Sequence, residues 1–364
     1  GALLRRRHGR PAPFTEVLSM RVLVIGGTGL ISTAIVEQLL ARGDRVTLFN
    51  RGVTARRFEG DVDVIVGDRW KYAEFEREMQ QRTFDAVIDM VAFAPENADS
   101  LLRAFSGRAG HLVVCSTVCV YGGPLTRSPA TDDEPHRPVT KYGQSKSRIE
   151  STLLAANGRD GLKTTILRPS FTTGEGHTAL GALYFDDSMA DRARRGLPLV
   201  VHDDGATPWA IAHVSDVARG FVSALGNEKA YGQAYHLTSD EHTTWGGVFA
   251  ALQEAAGGKS PVVSIPTDWL YEVAPRRMVG VKFIYRYGSI FDNSKAARDL
   301  GFRTTVPLVE TFRRQIAWSE RAGAYRRAEQ EPLQDTLIDA FTNGRRPAPG
   351  QVHDFNPWGN EPES

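Results

Sequence analysis

From Met20 onward, short apolar runs rich in β-branched residues recur along the chain: RVLVIG, RVTLFN, DVIVGD, DAVIDMVA, HLVVCS and KTTILRP. Between the first two lies TAIVEQLLARG, where Ala34, Ile35, Gln38 and Leu39 share one helical face and Gly43 supplies a stop. Strand-like runs that alternate with helical patterns predict βαβ units, and therefore a parallel sheet covered by helices on both faces. The pattern becomes irregular after Pro169, where glycine, aspartate and proline punctuate residues 174–208. A strand-like AYHLTS then appears at 234–239, and helical segments follow to about residue 322. The fold class this predicts is α/β: a doubly wound parallel sheet with a smaller C-terminal α/β lobe. Residues 20–173 plus about 210–240 are expected to build the sheet domain, and 174–209 plus 241–322 the second lobe. Residues 1–19, arginine-rich and without the apolar core of a secretion signal, read as a leader or flexible extension. Residues 323–364 read as a helix followed by a proline- and glycine-rich tail.

Composition narrows the function classes. With 364 residues and 41% hydrophobic content the chain can bury a large core. Its 44 Lys plus Arg against 43 Asp plus Glu give a net charge of +1, which offers no general field for nucleic acid or an anionic membrane. No apolar run approaches the roughly 18 residues that would span a bilayer. Only Cys115 and Cys119 are present, so a disulfide framework is excluded and a reducing cytoplasm is expected. The nine histidines are scattered, and His202 beside Asp203 and Asp204 is the one tempting group; no second ligand pair accompanies it, so no metal is expected.

Chemistry concentrates at the ends of the predicted strands. The first runs into GGTGLIS, where Gly26 and Gly29 let the backbone approach a pyrophosphate at the start of the next helix, together with Leu30 and Ile31; Ser32 stands where a third glycine is usual. The second strand ends in Asn50 and Arg51 where an acidic residue would bind the ribose diol of NAD, and Arg51 suits the 2′-phosphate of NADP. NAD or NADP is therefore expected, with a lean to NADP. Asp68, after the third strand, is placed to reach an adenine or to make a turn. STVCVYGG puts Ser116, Thr117 and Cys119 at a strand end, and YGQSK puts Tyr142 and Lys146 one helical turn apart. An ammonium beside a phenol lowers the phenol's pKa, and a nearby threonine can fix a substrate alcohol, which together make a coherent unit for hydride chemistry.

Taken in order, GGTGLIS, VGD, STVCVYGG, YGQSK, LRPSFTTG, HVSDVA and DNSKAARDLGF resemble the extended short-chain dehydrogenase/reductases of the sugar-nucleotide epimerase and dehydratase branch, over about residues 20–320. The resemblance implies a Rossmann-type sheet and a Thr117, Tyr142, Lys146 triad with Tyr142 as general acid or base. Ser116 and Pro169 are then expected near the cofactor, and Ser170, His202, Trp209 and Arg286 near a sugar or nucleotide-sugar substrate. It also implies a homodimer through the helix bearing Tyr142, in which Ile149, Leu153 and Leu154 form a stripe for its own sheet or for a partner.

Two departures bear on the reaction. Classical hexose dehydratases have an aspartate–glutamate pair after the threonine; here Val118 and Cys119 occupy those places, which disfavours dehydration and leaves Cys119 as a small hydrophobe or an unusual acid or base. Sugar-nucleotide members carry an arginine four residues after the glycine of DDGATPWAIA, and here that residue is Trp209. Arg276, Arg277, Lys282 and Arg286 are candidate replacements. The leading expectation is an epimerase that transiently oxidises a secondary alcohol. The alternatives are a dehydrogenase or ketoreductase, or a dehydratase, on a glycoside or nucleoside, and a non-catalytic nucleotide-sensing or RNA-binding relative, suggested by VTLFNRG. Neither nucleic acid nor membrane is expected as a partner.

Overall fold

The computed structural model describes residues 19–178, 186–347 and 351–352; the leader expected at 1–19 lies almost wholly outside them, as does most of the expected tail. Seven strands form one all-parallel sheet: β1 (Arg21–Ile25), β2 (Arg45–Asn50), β3 (Asp63–Val66), β4 (Phe84–Asp89), β5 (Ala109–Cys115), β6 (Lys163–Pro169) and β7 (Gln233–Leu237). Their order is 3-2-1-4-5-6-7, so the chain reverses direction across the sheet between β1 and β4 and leaves a crevice at their carboxyl ends.

The period-two pattern accounts for both faces. Val22 and Val24 of β1 enter the core beneath helix α1 (Leu30–Arg42) and the helix Val214–Ala224, while Leu23 and Ile25 enter the core on the opposite face. That opposite core is closed by helices α2 (Tyr72–Met79), α3 (Pro95–Phe105) and α4 (Lys141–Ala155). Ile149 and Leu153 of α4 are fully buried there, so the stripe that offered two uses packs against its own sheet. Helix α1 stops at Gly43, whose φ of +89° suits a residue without a Cβ.

A third core lies outside the sheet. Helix Trp245–Ala256 and helix Leu308–Arg321 enclose Trp245, Phe249, Leu252, Phe312 and Ile316, beside the parallel pair Leu199–His202 and Val262–Ile265. Helix Leu333–Thr342 adds Leu333 and Leu337, and its Asp335 pairs with buried Arg192. Among the described residues no helix is long and apolar enough to cross a membrane.

Burial disfavours the charged form of His111 and His202, as it does of His236. His111 pairs with Thr165 Oγ1 at 2.8 Å and accepts the Gly226 N–H at Nδ1, and His202 pairs with the Tyr285 carbonyl at 3.2 Å. Burial pushes each from 6.5 to about 4. The sign follows from the depressed folded value: above about pH 6.5 both states are neutral, and below it the unfolded chain takes protons that the folded chain refuses. Stability is therefore expected to fall between pH 6.5 and about 4, by up to about 1.4 kcal/mol per pH unit for each histidine. Urea midpoints at pH 7 and pH 5 check this; equal midpoints would refute it.

Candidate active site

The turn after β1 is shaped by close approach. Gly26 has φ +82°, and a Cβ there would lie 2.5 Å from Val91 Cγ1. Gly29 begins α1 without a side chain to cap it and lines the crevice, so the start of the helix is left uncapped beside it. Ser32, in the place of a third glycine, is buried and accepts the Gly29 N–H at 2.8 Å, which fixes the turn. The side chains of Leu30 and Ile31 pack towards the core, so what they can offer an anion is their backbone N–H.

The cleft above this turn, about 330 Å³, is lined by Gly26, Gly29, Asn50, Arg51, Asp68 and Phe93, among others. Asn50 and Asp68 each hold a turn, accepting the N–H of Gly52 and of Trp70 at 2.9 Å. Arg51 stands exposed on the rim without an ion-pair partner among the described residues. Sequence reasoning missed Arg69, Trp70 and Phe93, which also line the cleft. Buried Arg69 donates to the Asn97 carbonyl at 2.9 Å, pairs with Asp89 at 3.4 Å and lies 4.3 Å above the Phe75 ring, closing the floor. The GD motif before Arg69 was the available signal; Phe93 had none beyond its place just after β4.

The second strand end brings together residues 25 positions apart. Thr140 caps α4 by accepting the Gly143 N–H at 3.1 Å. A Cβ at Gly143 would lie 2.5 Å from the Cys119 carbonyl oxygen, so glycine is what allows α4 to reach the turn Val118–Val120. The Thr117 hydroxyl accepts the Cys119 N–H at 3.2 Å and is hydrogen-bonded to the Tyr142 phenol and the Cys119 thiol. Lys146 is 1% exposed; its Nζ donates to the Cys115 carbonyl at 2.6 Å and lies 5.7 Å from the Tyr142 ring centre and 4.8 Å from that of Phe93. Burial, with the nearby Cys119 and Cys115, pushes the Tyr142 phenol above its ordinary value against the opposing Thr117 hydrogen bond. Burial lowers Lys146, opposed by Cys115, Asp89 and Glu150, and raises the Cys119 thiol.

Ser116 differs from expectation. Its hydroxyl donates to the buried carboxylate of Glu150, one turn beyond Lys146 on α4, and so is turned into the protein. Glu150 is held in turn by Arg168, at 3.1 Å from Nε and 2.6 Å from Nη2, and Arg168 Nη1 donates to the Tyr121 hydroxyl at 2.6 Å. Pro169 is buried at the end of β6, in register with Leu237. Ser170 follows it, with its hydroxyl buried and unpartnered.

On the substrate side, two expected contacts lie in the third core. Trp209 is 3% exposed and stacks on Trp245 at 4.6 Å, and His202 is 1% exposed and meets the same indole edge-on. Packing among aromatic rings takes both away from direct contact with solvent. Arg286 forms an ion pair with Asp268 at 2.9 Å, and Lys282 pairs with the same carboxylate. Asp203 accepts the Thr267 N–H and hydroxyl and Asp204 accepts the Ala206 N–H, and among the described residues no cluster of metal-ligating side chains forms.

Against this geometry, a model of the NAD dependent epimerase/dehydratase family matches residues 22–237, more than half of the chain. The chain belongs to this family. As an epimerase/dehydratase-family enzyme it uses NAD(P), and the cleft fits that cofactor: Gly29 at the start of α1 lines it with no side chain capping the helix, and a Cβ at Gly26 would collide with Val91. A 2'-dehydrokanamycin reductase of Streptomyces kanamyceticus is 29% identical over 254 residues, covering 70% of this chain and 72% of that protein. The chloroplast stem-loop binding protein of 41 kDa b of Arabidopsis thaliana is 23% identical over 331 residues, covering 87% and 84%. Among solved structures, the UDP-glucose 4-epimerase of Thermus thermophilus in complex with NAD superposes with a TM-score of 0.66 at 25% identity, over 83% of this chain and all of that one.

Proposed function

We propose that this family member is an NAD(P)-dependent ketoreductase, or dehydrogenase in the reverse direction, acting on a secondary alcohol position of a sugar or related cyclic polyol that carries no nucleoside diphosphate. The observation that carries the reading is the Thr117–Tyr142 pair at the end of β5, with Lys146 buried alongside. When bound, NAD(P)H supplies the hydride to the carbonyl carbon. Thr117 holds the carbonyl oxygen, and Tyr142 donates its phenolic proton to that oxygen. The tyrosinate left behind is stabilised by the Lys146 ammonium and regains a proton from solvent. Because burial holds Tyr142 protonated, the resting site suits reduction, and the oxidative direction is favoured as pH rises.

The missing cation supports this substrate class. Trp209 replaces the arginine expected to grip a diphosphate, and the four basic replacements all have partners: Lys282 and Arg286 share Asp268, and Arg276 and Arg277 are engaged as well. The likeness to a reductase of a dehydrokanamycin supports the same class. A second reading, a sugar-nucleotide epimerase that recycles its own hydride, is supported by the likeness to UDP-glucose 4-epimerases. The test is absorbance at 340 nm with added NADPH or NADH and a panel of keto-glycosides, beside UDP-glucose without added cofactor. Consumption of added cofactor is expected; conversion of UDP-glucose to UDP-galactose without it would overturn the reading in favour of the second.

Arg51 is assigned to the 2′-phosphate of NADP. Removing one charge-assisted contact of about 1.5–3 kcal/mol is expected to weaken NADPH binding roughly 10- to 150-fold in Arg51→Ala while NADH binding changes little. Titrations of the two cofactors against both proteins read this directly; an equal loss for both would remove Arg51 from phosphate recognition.

A further inference from the structure

We infer that Phe93 is a positioning residue for Lys146: its ring face receives the buried ammonium and holds it charged beside Tyr142. The Lys146 Nζ lies 4.8 Å from the centre of the Phe93 ring, nearer than the 5.7 Å to that of Tyr142. The two ring centres stand 6.4 Å apart, so the ammonium occupies the corner between them. A cation over an aromatic face is attracted by the ring's quadrupole, most strongly where water is excluded, and Lys146 is 1% exposed. In its kinetic consequence the inference rests on the chemistry proposed above; the contact itself does not.

The ring is carried on a fixed turn. Phe93 follows β4, and its N–H and that of Ala94 both donate to the side-chain oxygen of Asn97 at 2.9 Å, where Asn97 is fully buried. The ring itself is 45% exposed and lines the cofactor cleft. One side chain therefore borders both the cleft and the ammonium, and its half-exposed place lets it be replaced without opening a core.

The other groups that face Lys146 are committed elsewhere or uncharged. Its ammonium donates to the Cys115 carbonyl at 2.6 Å. Asp89 on β4 is paired with Arg69, and Glu150 on α4 with Arg168. Burial pushes the Cys115 thiol on β5 up to about 11 and keeps the Tyr142 phenol protonated. Burial also lowers Lys146, with Cys115, Asp89 and Glu150 opposing. Against that loss of hydration the Phe93 face favours the cation at close range, and it does so at every pH because the ring takes no proton.

The test is carbon-13 NMR of the full chain labelled at lysine, in the native protein, Phe93→Leu and Phe93→Tyr, with the Lys146 ε-methylene signal identified by its absence from Lys146→Met. Leucine removes the π-face and keeps an apolar side chain; tyrosine keeps the face. In Phe93→Leu the midpoint of the Lys146 titration is expected to fall by about 0.5–1 pH, the size of one enclosed cation–π contact, and in Phe93→Tyr to stay within about 0.2 pH of the native value. The direction separates two roles, because a ring that only kept water out would, when trimmed, let water in and raise the midpoint. An unchanged or raised midpoint in Phe93→Leu, or an equal fall in Phe93→Tyr, would overturn the inference. This readout needs neither cofactor nor substrate. Where the proposed reaction also holds, the alkaline limb of kcat/KM for reduction moves to lower pH in Phe93→Leu together with the NMR midpoint. A midpoint that falls while the limb stays supports the contact and overturns the part assigned to Lys146 in the reaction.

Discussion

Replacing Tyr142 with phenylalanine is expected to lower kcat/KM for carbonyl reduction by about 10²- to 10⁴-fold, the usual contribution of a positioned general acid. Only an oxygen is lost. The ring stays where it packs, 6.4 Å from Phe93, and Lys146 keeps its bond to the Cys115 carbonyl, so the fold should be retained. The expected melting shift is small, in line with one neutral hydrogen bond of about 1 kcal/mol to Thr117. Thr117→Ala should act in the same direction but less strongly, because in the proposed mechanism Thr117 holds the oxygen without exchanging its proton. Steady-state kinetics at several pH values would read both. A Tyr142→Phe enzyme with near-normal kcat/KM would mean that another group, with Cys119 the nearest thiol, moves the proton.

The largest stability effect is expected at Arg168, beneath the active site. Its guanidinium is 4% exposed and its partner Glu150 is 1% exposed, so Arg168→Ala leaves a buried carboxylate with the Ser116 hydroxyl and His136, 3.6 Å away, in place of its close cation. Breaking a buried pair from one side typically costs about 3–5 kcal/mol, far above the 0–1 kcal/mol of a surface pair such as Arg21–Asp85. For a chain of 364 residues that corresponds to a melting temperature lower by roughly 4–7 °C. The double variant Arg168→Ala with Glu150→Ala should lose little more than either single variant, because the dominant penalty is the orphaned charge. Additive losses across the four proteins, measured by denaturant unfolding, would contradict this. Activity should fall with stability, since Ser116 precedes Thr117 and Glu150 lies one turn after Lys146 on the same helix.

How much of this was legible in the sequence depends on how local the signal was. The strand-then-glycine pattern of RVLVIGGTG specifies both β1 and the turn into α1, because alternation, positive φ and a helix start are properties of neighbouring residues. Thr117, Tyr142 and Lys146 were readable as residue types at spacings. What brings Thr117 to Tyr142, the absence of a Cβ at Gly143, has no meaning until Cys119 is seen to lie against it. The fate of Trp209 and His202 was not legible, because it depends on Trp245, some 40 residues away, which fills the space between them. Arg286 and Lys282 looked like free cations until Asp268, at the opposite end of a helix and a loop, was found between them. Ser116 resembled other strand-end hydroxyls; only the packing of α4 on β5 shows that Glu150 takes it.

The central claim is that the cleft above α1 holds a nicotinamide dinucleotide whose reactive ring reaches Tyr142. Its most direct measurement is a fluorescence titration with NADPH, following energy transfer from tryptophan, Trp70 on the cleft rim included, to the dihydronicotinamide, in the native protein and in Gly26→Val. A valine side chain at a φ of +82°, pressed against Val91, closes the approach of a pyrophosphate. The account predicts saturable binding at one site per chain that Gly26→Val abolishes while the variant remains folded by circular dichroism. Absence of saturable binding by either NADPH or NADH to the native protein, or equal binding by a folded Gly26→Val, would contradict it.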